Sequence, residues 1–159
     1  MNIIKKLILN IITIILLVTS CKKEKEEAPK SYWVFDGLTF KGFAETHPLG
    51  SAFDASERMT RYGISTGNFV SFNFSYNYMP KKTGIYAVKK NAIDTTQCTV
   101  TVSIIRDGRS IFFTSVNSTS QVTINVSPEG KLSSTFSNIA LSYFATGETK
   151  TVSGSLEEQ

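Results

Sequence analysis

Residues 31–159 read as an all-β domain, an antiparallel β-sandwich, on three observations. Between Asn68 and Met79 the apolar Val70, Phe72, Phe74, Tyr76 and Tyr78 alternate with Ser71, Asn73, Ser75 and Asn77. A period of two is the mark of a strand with one face on a core. Asp36-Gly37 stands between Tyr32-Trp33-Val34-Phe35 and Leu38-Thr39-Phe40, a strong short-range hairpin signal. Apolar runs then recur about every ten to twelve residues with turn residues between them, the spacing of a sandwich or, alternatively, a closed barrel.

Taken in order, the chain opens with the Asp36-Gly37 hairpin. From Ala44 to Tyr62 the pattern blurs. Asp54-Ala55-Ser56-Glu57 suits the cap of a short helix carrying Met59 and Tyr62 and ending at Gly63, and a strand around Met59 to Ile64 fits equally well. The alternating strand over Asn68–Met79 follows, and Pro80-Lys81-Lys82-Thr83-Gly84 turns the chain into Ile85-Tyr86-Ala87-Val88. A loop from Lys89 to Thr96 leads to the β-branched run Cys98 to Ile105, closed by Arg106-Asp107-Gly108-Arg109. Strands are expected at Ser110–Val116, Gln121–Val126, Leu132–Phe136, Ile139–Phe144 and Thr149–Leu156, with a turn at Ser127-Pro128-Glu129-Gly130.

Some 130 residues from Ser31 onward are a usual size for one domain. Ahead of them, Lys5 and Lys6 precede a mostly apolar run, Leu7 to Val18, interrupted by Asn10 and Thr13. It is shorter than the roughly 20 apolar residues a bilayer crossing needs, so residues 1–20 read as a cleaved secretory signal rather than an uncleaved membrane helix. Residues 21–30 hold Lys22-Lys23-Glu24-Lys25-Glu26-Glu27-Ala28-Pro29-Lys30 behind Cys21. With almost nothing apolar to bury, this stretch reads as a solvated tether able to reach about 30 Å. Removing Lys5 and Lys6 with the leader lowers the formal charge from +4 to about +2. The remaining basic residues are not clustered on one face, which argues against a nucleic-acid partner.

Val18-Thr19-Ser20-Cys21 resembles a bacterial lipobox. The resemblance implies cleavage before Cys21, acylation of Cys21 and anchoring in a membrane, for which two acyl chains suffice. Lys22, in place of an aspartate, implies the outer membrane as destination, facing the periplasm or the cell surface, and Lys25-Glu26-Glu27 resembles the export signals of Bacteroidota surface lipoproteins. Within the domain, Tyr32 to Phe40, Thr83-Gly84-Ile85-Tyr86 and Thr151-Val152-Ser153-Gly154-Ser155-Leu156 resemble small all-β lipoproteins of Bacteroidota whose domain has no assigned function. That family supplies no activity, and two positions depart from its pattern: Leu156 is often aromatic there, and Leu38 often lysine. Asp94-Thr95-Thr96 resembles the O-glycan acceptor string of the same bacteria, with Thr95 as the acceptor.

No catalytic motif survives inspection. Gly63-Ile64-Ser65-Thr66-Gly67 matches a nucleophile elbow as a string, but the elbow requires a helix after Ser65 and a histidine downstream. A period-two strand follows instead, and His47, the one histidine, lies upstream. His47 with Glu45, Asp54 and Glu57 lacks the ligand set of a structural zinc site and the alternate oxygen spacing of a calcium loop, and reads as a solvated loop. Paired carboxylates for glycoside hydrolysis require a cleft that small domains rarely supply. Cys98 alternates in step with Val100, Val102 and Ile104, the pattern of a small buried hydrophobe rather than a reactive thiol. Asn73 and Asn117 begin N-glycan acceptor strings, which have no bearing on a bacterial export route.

The expected function is therefore a non-enzymatic binding or interaction module without cofactor or metal, its partner a glycan or an envelope protein. Adjacent aromatics such as Phe112-Phe113 and Tyr143-Phe144 point to opposite faces of a strand, so part of the outer surface is aromatic. Tyr32, Phe112 and Tyr143 are the candidate ligand contacts. Two rivals are a lipocalin-like carrier, with Phe72, Phe74, Tyr76, Tyr78 and Val100 lining a pocket, and a periplasmic inhibitor or immunity protein presenting a loop from Gly42 to Arg58.

Overall fold

Asp36 and Gly37 both adopt left-handed backbone, with φ of 52° and 76°, and turn β1 (Ser31–Phe35) directly into β2 (Leu38–His47). This is the tight hairpin that an Asp-Gly pair selects. The computed structural model describes residues 28–57 and 67–159. The leader, Cys21, most of the tether, the segment from Met59 to Ile64 and nearly all of the Gly63–Gly67 string lie outside them. A 3-10 turn at Pro48–Gly50 leads to β3 (Ala52–Ser56), and β4 (Phe69–Phe74), β5 (Gly84–Val88) and β6 (Gln97–Arg106) follow. The chain ends with β7 (Arg109–Ser115), β8 (Gln121–Val126), β9 (Leu132–Tyr143) and β10 (Thr149–Glu157).

The ten strands form one sheet, as the all-β reading requires. Its pairings are antiparallel except for β5 beside β6, where Ala87 pairs with Gln97 and Val88 with Cys98. The first strand lies between its hairpin partner β2 and the last strand, β10. β10 in turn pairs along β9. Because β7 joins β9 to β6, and β6 runs on through β4, β3 and β2, the circuit of pairings closes. Opposite parts of the sheet meet face to face. The Phe35 ring of β1 stands 4.9 Å from Phe113 of β7, and Phe72 of β4 stands 5.0 Å from Phe136 of β9. None of these strands pairs with its contact partner, so the rings span the interior.

That interior is filled by side chains. Trp33 stacks on Phe40 with centroids 5.4 Å apart, and Phe53, Phe72, Ile124, Leu141 and Leu156 are fully buried in one continuous apolar cluster. Phe72, Phe74 and Val100, expected by the carrier reading to line a pocket, are members of it.

Four expectations are corrected. Asp54, Ala55 and Ser56 belong to strand β3, paired on both sides with β2 and β4, and not to a helix cap; two ladders outweigh a capping pattern that had no tertiary competitor in the sequence. The same pairings remove the protruding loop from Gly42 to Arg58, because Gly42–His47 and Ala52–Ser56 are ladder residues. β4 stops at Phe74. The chain turns at Asn77, whose φ is 58°, and Tyr76 is left outside at 88% exposure, so the period of two outran the strand. The two strands expected at Leu132–Phe136 and Ile139–Phe144 are one, β9, which ends at Tyr143 and runs through Asn138 at φ 52°. The β9–β10 register shifts there between Val152 and Gly154, and Asn138 N–H donates to Ser153 Oγ at 2.9 Å.

Gly154, in the terminal landmark, has a packing reason. A Cβ on it would lie 2.4 Å from Tyr32 O and 2.9 Å from Trp33 Cα. Gly154→Ala is therefore expected to cost about 1–3 kcal/mol by overpacking the β1–β10 seam. The check is a lower urea midpoint at unchanged denaturant slope.

Candidate binding face

The sheet divides along one side, and the division builds a groove. β4 occupies one edge of β6 from Cys98 to Ser103. The other edge is shared, by β5 at Gln97–Cys98 and by β7 from Thr101 onward. β9 repeats this arrangement, with β10 on one edge and β8 and β7 in succession on the other. Between the end of β7 and the β5–β8 pair, the loops 89–96 and 116–120 fill the gap. Ser115, fully buried, ties them down: its Oγ donates to Lys89 O at 2.7 Å and accepts from Val100 N–H at 3.0 Å. Lys90 N–H donates to Asn117 Oδ1 at 3.0 Å, and Lys89 Nζ donates to Ser118 O at 3.2 Å.

On the outside of this junction lies a groove of about 340 Å³ lined by Lys90, Asn91, Thr114, Val116, Asn117, Ser142 and Phe144. Thr114 and Ser142 face each other in the β7–β9 register, which sets two hydroxyls side by side on its floor. Phe144 stands at the rim, 97% exposed. Asn117 commits its Oδ1 to Lys90, leaving its Nδ2 donors without a partner among the described residues. A bare aromatic ring beside hydroxyls, amides and one ammonium can stack on the apolar face of a ring-shaped polyol while bonding its hydroxyls.

The three predicted aromatics are not brought together. Tyr32 is half-exposed on the outside of β1, between Lys41 of β2 and Ser155 of β10. Ser155 in turn pairs with Thr135, eight positions along β9 from Tyr143, or roughly 26 Å at strand rise. Phe112 is half-exposed on the outside of β7, its ring 6.2 Å from that of Phe69. Tyr143 packs on the core, 5.5 Å from Phe113, and it is Phe144 that faces outward. Counting in twos from the buried Ile139 and Leu141 puts 143 inside and 144 outside, a signal already present in the sequence. Lys90, Asn91 and Asn117 carried no such signal, because they meet only through tertiary pairing.

Thr95 is exposed on the loop between β5 and β6. Beside it the Asp94 carboxylate accepts from Thr96 N–H at 2.8 Å, Thr96 Oγ1 at 2.6 Å and Gln97 Nε2 at 2.7 Å. The bonds from Thr96 hold the carboxyl below its usual range. His47 and Asp54 are not in a solvated loop. They lie on β2 and β3, mostly buried, with Nε2 and Oδ2 3.2 Å apart. Ser71 opposes Asp54 in register, but its hydroxyl donates to Asn73 Oδ1 at 3.3 Å rather than to His47. No three His, Cys, Asp or Glu residues among the described residues are grouped to hold a metal ion.

The chain matches no protein-family model, no curated protein and no solved structure.

Cys98 is fully buried, and burial pushes its thiol up to about 12. In a Cys21→Ser variant, where it is the sole thiol, Cys98 is expected to resist iodoacetamide at pH 8 in the native state, since the thiolate is the nucleophile. It should alkylate readily in urea, and fast native labelling would contradict this burial. Ser115→Ala, which leaves Val100 N–H and Lys89 O unpartnered, is expected to cost about 1–3 kcal/mol in urea unfolding.

Proposed function

We propose that this protein is an acylated lipoprotein of an outer membrane, facing the periplasm or the cell surface, and that it works as a non-enzymatic binding module for a saccharide. The lipobox-like Val18-Thr19-Ser20-Cys21 supports the anchor. The observation that carries the binding role is Phe144, exposed at the rim of a groove floored by Thr114 and Ser142 and flanked by Asn91 and Asn117. Its exposed ring is free to stack on the apolar face of a partner, and the polar groups around it suit a partner with hydroxyls.

A filled interior favours a surface-binding role over a carrier, and the ladder pairing of Gly42–His47 and Ala52–Ser56 takes away the segment an inhibitor would have inserted. Support for a non-enzymatic role comes from Ser71 pointing its hydroxyl at an amide and from the burial of Cys98.

Two measurements test this reading. Radiolabelled palmitate is expected to enter the wild-type protein and not Cys21→Ala, which should leave the membrane fraction. On an array of envelope and host oligosaccharides, Phe144→Ala should lose about 2- to 10-fold in affinity, the worth of one aromatic stacking contact. Its unfolding midpoint should stay within about 0.5 kcal/mol of wild type, as for other exposed positions. Undiminished glycan binding by Phe144→Ala, or none by wild type, would refute the saccharide role.

A further inference from the structure

The end of the sheet at which the tether enters exposes apolar and basic side chains together. β1 begins at Ser31, ten residues after Cys21. From there the antiparallel ladders carry the same end through the His47–Ala52 turn, the β4–β5 connection, the β8–β9 turn and the last residues of β10. At this end two large apolar side chains project into solvent: Leu49, at 98% exposure, and Tyr76, at 88%. Neither is stray, because Phe74 N–H donates to Ser51 O at 2.8 Å and fastens the turn bearing Leu49 to the one bearing Tyr76. Exposed Lys81 and Lys82 follow on the same connection, which Thr83 ties to β8 by accepting from Val126 N–H at 3.0 Å. Lys131 is exposed in the β8–β9 turn.

The carboxylates at this end are mostly engaged. Glu158 accepts from Thr46 Oγ1 and from Leu132 N–H, each at 2.8 Å, and Glu157 pairs with Lys30 at 3.4 Å. Glu129 lies two positions from Lys131, and its carboxyl is held low by Ser127. Lys81 and Lys82 have no ion pair among the described residues.

An aliphatic tip, a tyrosine and adjacent lysines are the composition that sits at a bilayer surface. The apolar groups enter the headgroup layer, tyrosine prefers its boundary, and lysines reach the lipid phosphates. We infer that the end of the sheet bearing Leu49, Tyr76, Lys81 and Lys82 docks onto the surface of the anionic bilayer that holds the lipid anchor. This rests on the acylation of Cys21 proposed above. Chain geometry agrees, since the tether enters the domain at this same end. Docking turns the opposite end outward: Phe144 follows the last residue of β9, roughly 35 Å along that strand from Leu132. Phe144, at the rim of the groove, is then held away from the membrane.

The test uses the full-length acylated protein in vesicles containing phosphatidylglycerol and lipid brominated on the acyl chain. Leu49→Trp and Phe144→Trp each place a reporter at an exposed site, and buried Trp33 supplies the common background. Quenching at position 49 and none at 144 is the expected result. Lys81→Gln and Lys82→Gln should each lower the ratio of docked to undocked protein about fivefold, and raised salt should act in the same direction. Equal quenching at both positions, or none at 49 in protein shown by mass spectrometry to be acylated, would overturn the docking while leaving the anchor intact. Absence of the acyl group would overturn both.

Discussion

The fold depends on its first strand finding its last. Ser31–Phe35 makes only a hairpin with β2 until Thr149–Glu157 pairs along its other edge. At the corner the Ser31 hydroxyl accepts from Glu157 N–H at 2.9 Å and donates to Glu157 O at 3.3 Å. Glu158 completes the closure by joining Thr46 on β2 to Leu132 on β9. Without β10, β1 and β9 would each present a free edge of unpaired amides and carbonyls, the usual route to aggregation. With it, the circuit closes and Trp33, Phe35, Val152 and Leu156 face a dry interior. The Ser31–Glu157 and Thr46–Glu158 contacts join residues more than a hundred positions apart, so most of the loop-closure entropy is spent before they form.

Closure also explains where the surface is uneven. Along one edge of β6 and of β9 no single strand runs the full length: β7 covers one end, and β5 on β6 or β8 on β9 covers the other. The junction cannot continue either ladder and is made instead by Ser115, Lys89 and Asn117. A seam of side-chain bonds between backbone ladders is where polar groups stay available to a ligand. A loop placed by a rigid sheet is a common setting for recognition. The groove bearing Phe144 follows from the change of neighbouring strand there.

Much of the local structure was legible. Asp36-Gly37 and Asp107-Gly108 turn with positive φ at both residues, as two-residue hairpin signals require. The alternation from Cys98 to Ile104 put Cys98 inside. Where reading failed, the cause was competition that sequence does not display. Asp54 and Ser56 look like capping residues until two neighbouring strands claim their backbone. Tyr76 and Tyr78 continue a flawless alternation past the point where Asn77 turns the chain. Tyr78 then packs back, its hydroxyl 3.1 Å from that of Tyr86, and burial with that hydrogen bond raises the Tyr86 phenol well above its ordinary range.

The amino-acid sequence alone determined the strands' character, the positions of the tight turns and the apolar parity along each strand, because each depends on neighbours a few residues apart. Tertiary structure alone decided which strands pair, that the circuit closes through β10, that His47 and Asp54 are buried, and that Lys90, Asn91, Asn117 and Phe144 share one groove. Those facts depend on register between distant segments. Register is settled only when every apolar face competes at once for the same interior.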